Sequence, residues 1–135
     1  MFNTIRTVED INNFLDKTNG LHDGYVIGVQ YANGGISKTE YGYYFDPKQT
    51  KLILQILVTS LRDTIVEIEF ENLLEWQIRD NQWEITDTSV FFNERNWVVW
   101  SDDIFISSEE MKTRSYAIAE SMKWRIVEQS KVDSL

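Results

Sequence analysis

The sequence lacks cysteine altogether, and its 135 residues include only one histidine and one proline. Without thiols the chain has no disulfide bond, no thiolate nucleophile, no iron–sulfur cluster and no cysteine-ligated zinc. One histidine excludes metal sites built on two or three imidazoles of one chain. Phosphate-loop, dinucleotide-binding, nucleophile-elbow and zinc-protease motifs are also missing. We therefore predict a protein that is not an enzyme and has no metal or cofactor.

Basic side chains are scarce, because 13 lysines and arginines stand against 22 aspartates and glutamates, a net charge of −9. Such a chain is poorly suited to nucleic acid, which is bound through neutralisation of its phosphates. No apolar run approaches the roughly 18 residues of a membrane span, and the N-terminus does not have the pattern of a signal peptide. We expect a cytoplasmic protein that binds neither nucleic acid nor membrane.

The residues that are present suit a folded domain, since 42% are hydrophobic and 13% are aromatic. With no linker or repeat, we predict a single domain over residues 1–135. Thr7 has the pattern of a helix N-cap, and Val8, Ile11 and Leu15 follow at helical spacing. Asn19-Gly20 is expected to end this N-terminal helix.

After this helix the apolar period changes to two, which predicts an antiparallel sheet. The strand 25–31 is expected to turn at Asn33-Gly34-Gly35 and to pair with a return strand ending at Phe45. Further strands are predicted at 51–59, 64–71, 73–78, 83–92, 97–100 and 104–106.

The segment from Ser107 contains neither glycine nor proline, and Ser107-Ser108-Glu109-Glu110 has the pattern of a capped helix start. The spacing of Ile118, Ala119, Met122 and Ile126 predicts a C-terminal helix, although residues 124–127 also suit a strand. The expected fold class is α+β: an antiparallel, strongly twisted multi-stranded sheet with an N-terminal and a C-terminal helix.

The acidity is concentrated in the middle of the chain, where residues 51–106 hold eleven carboxylates and four basic side chains. Strand alternation puts Glu67, Glu69 and Glu71 on one face, about 7 Å from one to the next. This face is either a solvated surface that protects the sheet from aggregation or a docking surface for a basic protein partner. The further carboxylates predicted to bind that partner are Glu75, Glu84 and Asp87.

Five tryptophans are many for this length, and such rings build either a core or an interface. Trp97 and Trp100 have opposite parity on one predicted strand, so at least one of them is expected outside the main core. Both are predicted partner contacts, and in one alternative an exposed Trp97 or Trp100 forms the seam of a homodimeric structural subunit.

His22-Asp23 is the best candidate for chemistry, because histidine titrates near neutral pH and a carboxylate can orient it. On a strand, however, the two side chains would point to opposite faces, which favours a role in shaping the turn. A small ligand-binding domain or enzyme with His22 in an aromatic pocket, lined by Tyr25 or Tyr43, is the second alternative.

Two carboxylate pairs, Asp102-Asp103 and Glu109-Glu110, supply the oxygen ligands that hard cations prefer. Their spacing matches no calcium-binding loop, and no glycine provides the sharp turn. We therefore predict a turn at the first pair, a helix N-terminus at the second, and no metal site.

Leu21-His22-Asp23-Gly24-Tyr25-Val26 resembles the start of small uncharacterised bacterial domains, in which Leu/Phe-His-Asp-Gly/Ser precedes a hydrophobic strand. The segments Phe70-Glu71-Asn72-Leu73 and Ala119-Glu120-Ser121-Met122-Lys123-Trp124-Arg125 look similar to elements of the same group. Some of these domains are similar to immunity proteins, which neutralise bacterial toxins that are often basic nucleases. The resemblance implies no catalytic residues. It makes an immunity-type binding protein for a basic toxin the leading hypothesis.

Overall fold

The computed structural model describes residues 1–79, 84–104 and 107–127. Helix α1 spans Val8–Lys17, and the single-turn helix α2 spans Ser108–Met111. The strands are β1 (Asn3–Ile5), β2 (Gly24–Asn33), β3 (Ile36–Thr39), β4 (Gly42–Phe45), β5 (Thr50–Val58), β6 (Thr64–Gln77), β7 (Ser89–Phe92), β8 (Val98–Ser101) and β9 (Tyr116–Val127).

Seven of these strands form one antiparallel sheet, in the order β2-β5-β6-β9-β8-β7, and β1 pairs with the second half of β9. The strands β3 and β4 form a separate two-stranded sheet. The prediction of an α+β fold with an antiparallel sheet and an N-terminal helix is confirmed. Within the described ranges, neither helix is long and apolar enough to cross a membrane.

The core lies on one face of the large sheet, under α1. Strand β5 alternates so that Leu52, Leu54 and Ile56 are fully buried on this face. Helix α1 places Phe14 over β9, where its ring meets Trp124 edge-on at a centroid distance of 5.3 Å. The opposite face of β5, β6 and β9 is mixed, because it carries the charged side chains of β6 and β9 beside the apolar Ile53, Leu57 and Ile65.

The start of α1 is confirmed as predicted. The hydroxyl of Thr7 accepts a hydrogen bond from the backbone of Asp10 at 3.1 Å, and the Asp10 carboxylate accepts one from the backbone of Thr7 at 3.0 Å. The Asp10 carboxylate also accepts the backbone N–H of Arg6, which lowers the pKa of Asp10. This reciprocal cap fixes where the helix begins.

The hairpin predicted at Asn33-Gly34-Gly35 is wrong. Strand β2 pairs with β5 along its length, whereas β3 and β4 pair with each other through a turn at residues 40 and 41. Pairing with β5 places β2 beside a continuous alternation of buried leucine and isoleucine. The short, exposed segment after Gly35 has no comparable apolar face to pack on the core.

Two strand boundaries differ from the predicted ones. The strands predicted at 64–71 and 73–78 are one strand, β6, whose register shifts between Leu73 and Glu75 after a left-handed residue, Asn72. The start of the strand predicted at 83–92 lies outside the described residues, as do two of the three residues predicted at 104–106. Within the described part, Ile85 makes an isolated bridge to Gly24 before β7 begins.

The predicted C-terminal helix is wrong beyond its first turn. Ser107 caps α2, accepting a hydrogen bond from the backbone of Glu110, but the apolar stripe that follows belongs to the long strand β9. The inward residues of β9 are Ala117, Ala119, Met122 and Trp124. They change parity once, between Ala119 and Met122, and that three-residue step imitates the spacing of a helix.

Candidate functional site

Glu67, Glu69 and Glu71 lie on the polar face of the sheet, as alternation predicted, but basic side chains of the same chain pair with each of them. Arg125 Nε lies 2.6 Å from Glu67, and Lys51 Nζ lies 3.3 Å from Glu69. Lys123 Nζ lies 3.5 Å from Glu69 and 3.1 Å from Glu71. We call these three carboxylates and three cations the ladder. Its charges balance.

Burial reinforces this pairing. Glu67 and Glu69 are only 9% and 7% exposed, so a partner reaches little of either carboxylate. Lys123 and Arg125 also lie over the Phe2 ring, at 4.8 and 4.5 Å from its centroid. Hydrogen bonding to Glu71 raises the pKa of Lys123. Partner binding at the ladder stays a prediction, but its carboxylates are already engaged within the chain.

Glu75, the next predicted partner residue, is also engaged locally. Its carboxylate accepts a hydrogen bond from the Tyr116 hydroxyl at 2.5 Å and lies 3.8 Å from Lys112 Nζ. Burial and the Glu75 carboxylate raise the pKa of Tyr116 to about 12. Glu75 therefore connects β6 to β9 and to the residue that follows α2.

The structure places Trp100, one of the two tryptophans predicted to contact a partner, inside the core. Trp100 is fully buried on the inner face of β8, where it pairs with Ala117 and packs against Phe70 at a centroid distance of 6.2 Å. The small alanine leaves room for the indole. Trp97, just before β8, is partly exposed, and the Arg95 guanidinium lies 5.1 Å from its ring centroid.

His22 and Asp23 lie together in the turn before β2, which contradicts the expectation that they point to opposite faces. His22 Nε2 is 3.5 Å from Asp23 Oδ1, and His22 Nδ1 is 2.9 Å from the Thr86 carbonyl. Strand alternation does not apply, because β2 begins only at Gly24 and Asp23 has a left-handed backbone with φ of 60°. Thr59 supports the turn by donating its hydroxyl to the Asp23 carbonyl at 2.9 Å.

The turn is unusual in its backbone. Asn19, Gly20, Leu21 and Asp23 all have positive φ, between 54° and 61°. A left-handed conformation is unfavourable for a residue such as leucine, and clusters of such residues are common at functional sites. Leu21 is fully buried, so core packing holds the strained turn in place.

Glu84 and Asp87 lie close to His22 and Asp23. From the sequence, we predicted partner binding for the first pair and a candidate ligand site at the second. A hydrogen bond with the Asp23 carboxyl raises the pKa of Glu84. The Thr86 carbonyl raises the pKa of His22, and Asp23, Glu84 and Asp87 raise it further by their charges. The Gly24–Ile85 bridge brings the two segments together.

A cavity of about 430 Å³ adjoins this cluster. Besides Glu84, it is lined by Asp102 and Asp103 and by the guanidinium-bearing side chains of Arg79 and Arg114. Arg114 lies 3.3 Å from Asp103, and burial raises the pKa of Asp102. We call the five carboxylates around the turn and the cavity the acidic rim: Asp23, Glu84, Asp87, Asp102 and Asp103.

The cavity also shows where the predicted carboxylate pair Asp102-Asp103 lies. Asp102 and Asp103 follow β8, and the Asp102 carboxylate accepts the backbone N–H of Ser115 at 3.2 Å, so the pair shapes a turn as predicted. No group of three metal-ligating side chains lies together in residues 1–79, 84–104 and 107–127. The sequence did not identify Arg79 and Arg114 as site residues, because they belong to segments far apart in the chain and neither lies in a recognisable motif.

The tyrosines proposed to line a pocket around His22 do not lie together. Tyr25 is the second residue of β2, close to His22 along the chain, whereas Tyr43 lies in β4. That hairpin follows the opposite end of β2, about 30 Å away at the usual strand rise. Tyr43 is exposed there, with Lys38 Nζ 5.7 Å from its ring centroid.

A scan against protein-family models finds no match for this chain. Searches of curated proteins and of solved structures find no similar protein either. The resemblance to immunity-type domains therefore stays a prediction, and the site is interpreted from its own geometry.

Proposed function

We propose that this protein is a non-enzymatic binding protein that takes a basic protein partner, such as a bacterial toxin, on its acidic rim. The observation that carries the proposal is the convergence of five carboxylates, from three segments of the chain, around one turn and one cavity. Among the described residues, Arg79 and Arg114 are the cations that line that cavity, so five carboxylates of the rim stand against two guanidinium groups. Such a surface favours a basic partner and raises its association rate.

The rim suits a partner better than the ladder does. In the ladder, each carboxylate already has a cation of its own chain within 3.5 Å, and two of the three are buried. In the rim, Glu84 and Asp87 are exposed. Glu84 has the Asp23 carboxyl as a neighbour as well as His22, and an incoming lysine or arginine would relieve the repulsion between the two carboxyls.

The test is capture from native bacterial lysate, with mass spectrometry, by the wild type and by a rim variant in which Asp23→Asn, Glu84→Gln and Asp87→Asn remove three charges. Asparagine is chosen at Asp23 because it tolerates the left-handed backbone. We expect the rim variant to lose a basic partner that the wild type retains. For the purified pair, we expect a slower association rate with a weaker dependence on salt.

The matched control removes three charges elsewhere, with Asp16→Asn, Glu40→Gln and Glu94→Gln at exposed positions. It should keep the partner. Equal loss in both variants would show a response to net charge alone and would contradict the rim, as would full retention by the rim variant.

The cavity supports a second candidate function, the binding of a small ligand near His22. Its volume of about 430 Å³ falls in the range common for small-molecule sites. Arg114 offers a charged donor there, and Asp102 offers a largely buried carboxyl. A thermal-shift screen of small anions and metabolites tests this candidate, and a hit that persists in Arg79→Gln and Arg114→Gln would not belong to this cavity.

A further inference from the structure

Strand β2 is an edge of the large sheet, and apart from a bulge between Val26 and Gly28 it has little of the usual protection of an edge. In the described part of the chain, β5 is its only strand partner, and Ile85 meets only its first residue, Gly24. Its ten residues include no charged side chain and no proline. Ile27, Val29 and Tyr31 are each about half exposed. Long, uncharged, apolar edges readily pair with another strand, and monomeric proteins normally block them.

The hairpin that follows β2 adds an exposed aromatic surface. The two strands β3 and β4 pair only with each other among the described residues. A two-stranded hairpin is marginally stable in water by itself, and large exposed apolar patches mark interfaces. The large hydrophobic side chains of this hairpin that are more than half exposed are Ile36, Tyr41, Tyr43, Tyr44 and Phe45.

We propose that two copies of this chain associate through β2, which pairs antiparallel with β2 of the second copy, while the β3–β4 hairpins complete the interface. In a twofold symmetric dimer both copies use the same surface, so β2 of each copy supplies one side of the interface. The result is a sheet that continues from one copy into the other, with the free backbone groups of both edges satisfied.

Charge favours a second copy over a basic partner at this surface. The chain as a whole has a net charge of −9, so two copies repel each other over most of their surfaces. Residues 24–49 do not share this excess, because Lys38 and Lys48 balance Glu40 and Asp46. A neutral, apolar surface is typical of homodimer interfaces, and it offers a basic protein nothing to neutralise.

The size of the surface also fits. β2 supplies ten residues and each hairpin strand four, which approaches the roughly 20–30 residues per side of a standard interface. The acidic rim begins beside Gly24, at the far end of β2 from the hairpin. The dimer interface uses β2 and the hairpin, whereas the carboxylates of the rim all lie outside these strands, so the two proposals depend on different residues.

Sedimentation equilibrium from low micromolar to millimolar concentration, with the full chain, tests the proposal. We expect a reversible dimer. Val29→Lys puts a charge on the edge, and the symmetry brings the new lysines of both copies to one interface, so the dimer dissociation constant should rise about tenfold or more. Val8→Lys is the matched control: Val8 is 66% exposed on α1, against 46% for Val29, and its variant should dimerise like the wild type.

A second variant covers the case in which Val29→Lys unfolds, which circular dichroism would reveal. Tyr43→Ser with Phe45→Ser removes two exposed rings of the hairpin without touching the core, and it should also weaken the dimer. A wild type that stays monomeric at millimolar concentration overturns the proposal. So does a dimer that keeps its affinity in every folded edge and hairpin variant.

Discussion

The ladder and the acidic rim are both rich in carboxylates, yet the fold treats them in opposite ways. In the ladder, regular strands hold Glu67, Glu69 and Glu71 beside three cations of the same chain. In the rim, loops and a left-handed turn hold carboxyls against one another and against a histidine. A count of charges along the sequence cannot separate a structural ion-pair array from a surface on which carboxylates outnumber cations.

The largest expected effect comes from breaking the ladder. Arg125→Met removes the cation 2.6 Å from Glu67, a side chain that is mostly buried. An unpaired buried carboxylate is costly, and with the partial exposure of Arg125 discounted we expect a loss of about 2 kcal/mol in the free energy of unfolding. Urea denaturation measures it. The double variant Glu67→Gln with Arg125→Met should recover part of the loss, because no charge is then left unpaired.

The matched substitution in the rim is Arg114→Met. Arg114 and Asp103 lie 3.3 Å apart, but both side chains are more exposed than Glu67, so the loss should stay below about 1 kcal/mol. Equal losses for Arg114→Met and Arg125→Met would remove the distinction between the two regions.

The acidic half of the ladder was predictable from the sequence, and its basic half was not. Alternation with Val66, Ile68 and Phe70 places the glutamates on one face with no further information. Lys123 and Arg125 belong to a strand whose change of parity imitates a helix. Strand pairing across more than fifty residues decides which cation meets which carboxylate.

Individual residues of the rim could be predicted from the sequence, but their proximity in the fold could not. His22-Asp23 was singled out for its chemistry, and Glu84 and Asp87 for their charge, but nothing local joins the two pairs. The bridge between Gly24 and Ile85 joins them, and it depends on tertiary packing. The left-handed backbone at Asp23 also reversed the expected orientation of its side chain.

Alanine and glycine substitutions should distinguish the left-handed backbone at Asp23 from the extended strand backbone at Glu69, with an intermediate effect on stability. At Asp23, with φ of 60°, both Asp23→Ala and Asp23→Gly remove the carboxylate, but only alanine is strained, so the alanine variant should be less stable by about 1 kcal/mol. At Glu69, in the middle of β6, the order should reverse, because glycine weakens a strand. Thermal unfolding of the four variants measures both differences. The same order at both positions would contradict the assignment of strain to the turn.

The smallest expected effect is a change of stability with pH near neutrality, which we expect from the rim and not from the ladder. The pKa of His22 is raised, by the Thr86 carbonyl and by Asp23, Glu84 and Asp87. The stability that it contributes is therefore fully present below its ordinary pKa of 6.5 and is lost as the pH rises through the higher folded value. The pKa of Lys123 is also raised, but from 10.5, so the ladder loses its contribution only at alkaline pH. Between about pH 6 and pH 8 the melting temperature should fall slightly in the wild type and less in His22→Asn. Because His22 is the only histidine, its imidazole proton signals can be followed directly by NMR, and a titration midpoint at or below 6.5 would contradict this account of the rim.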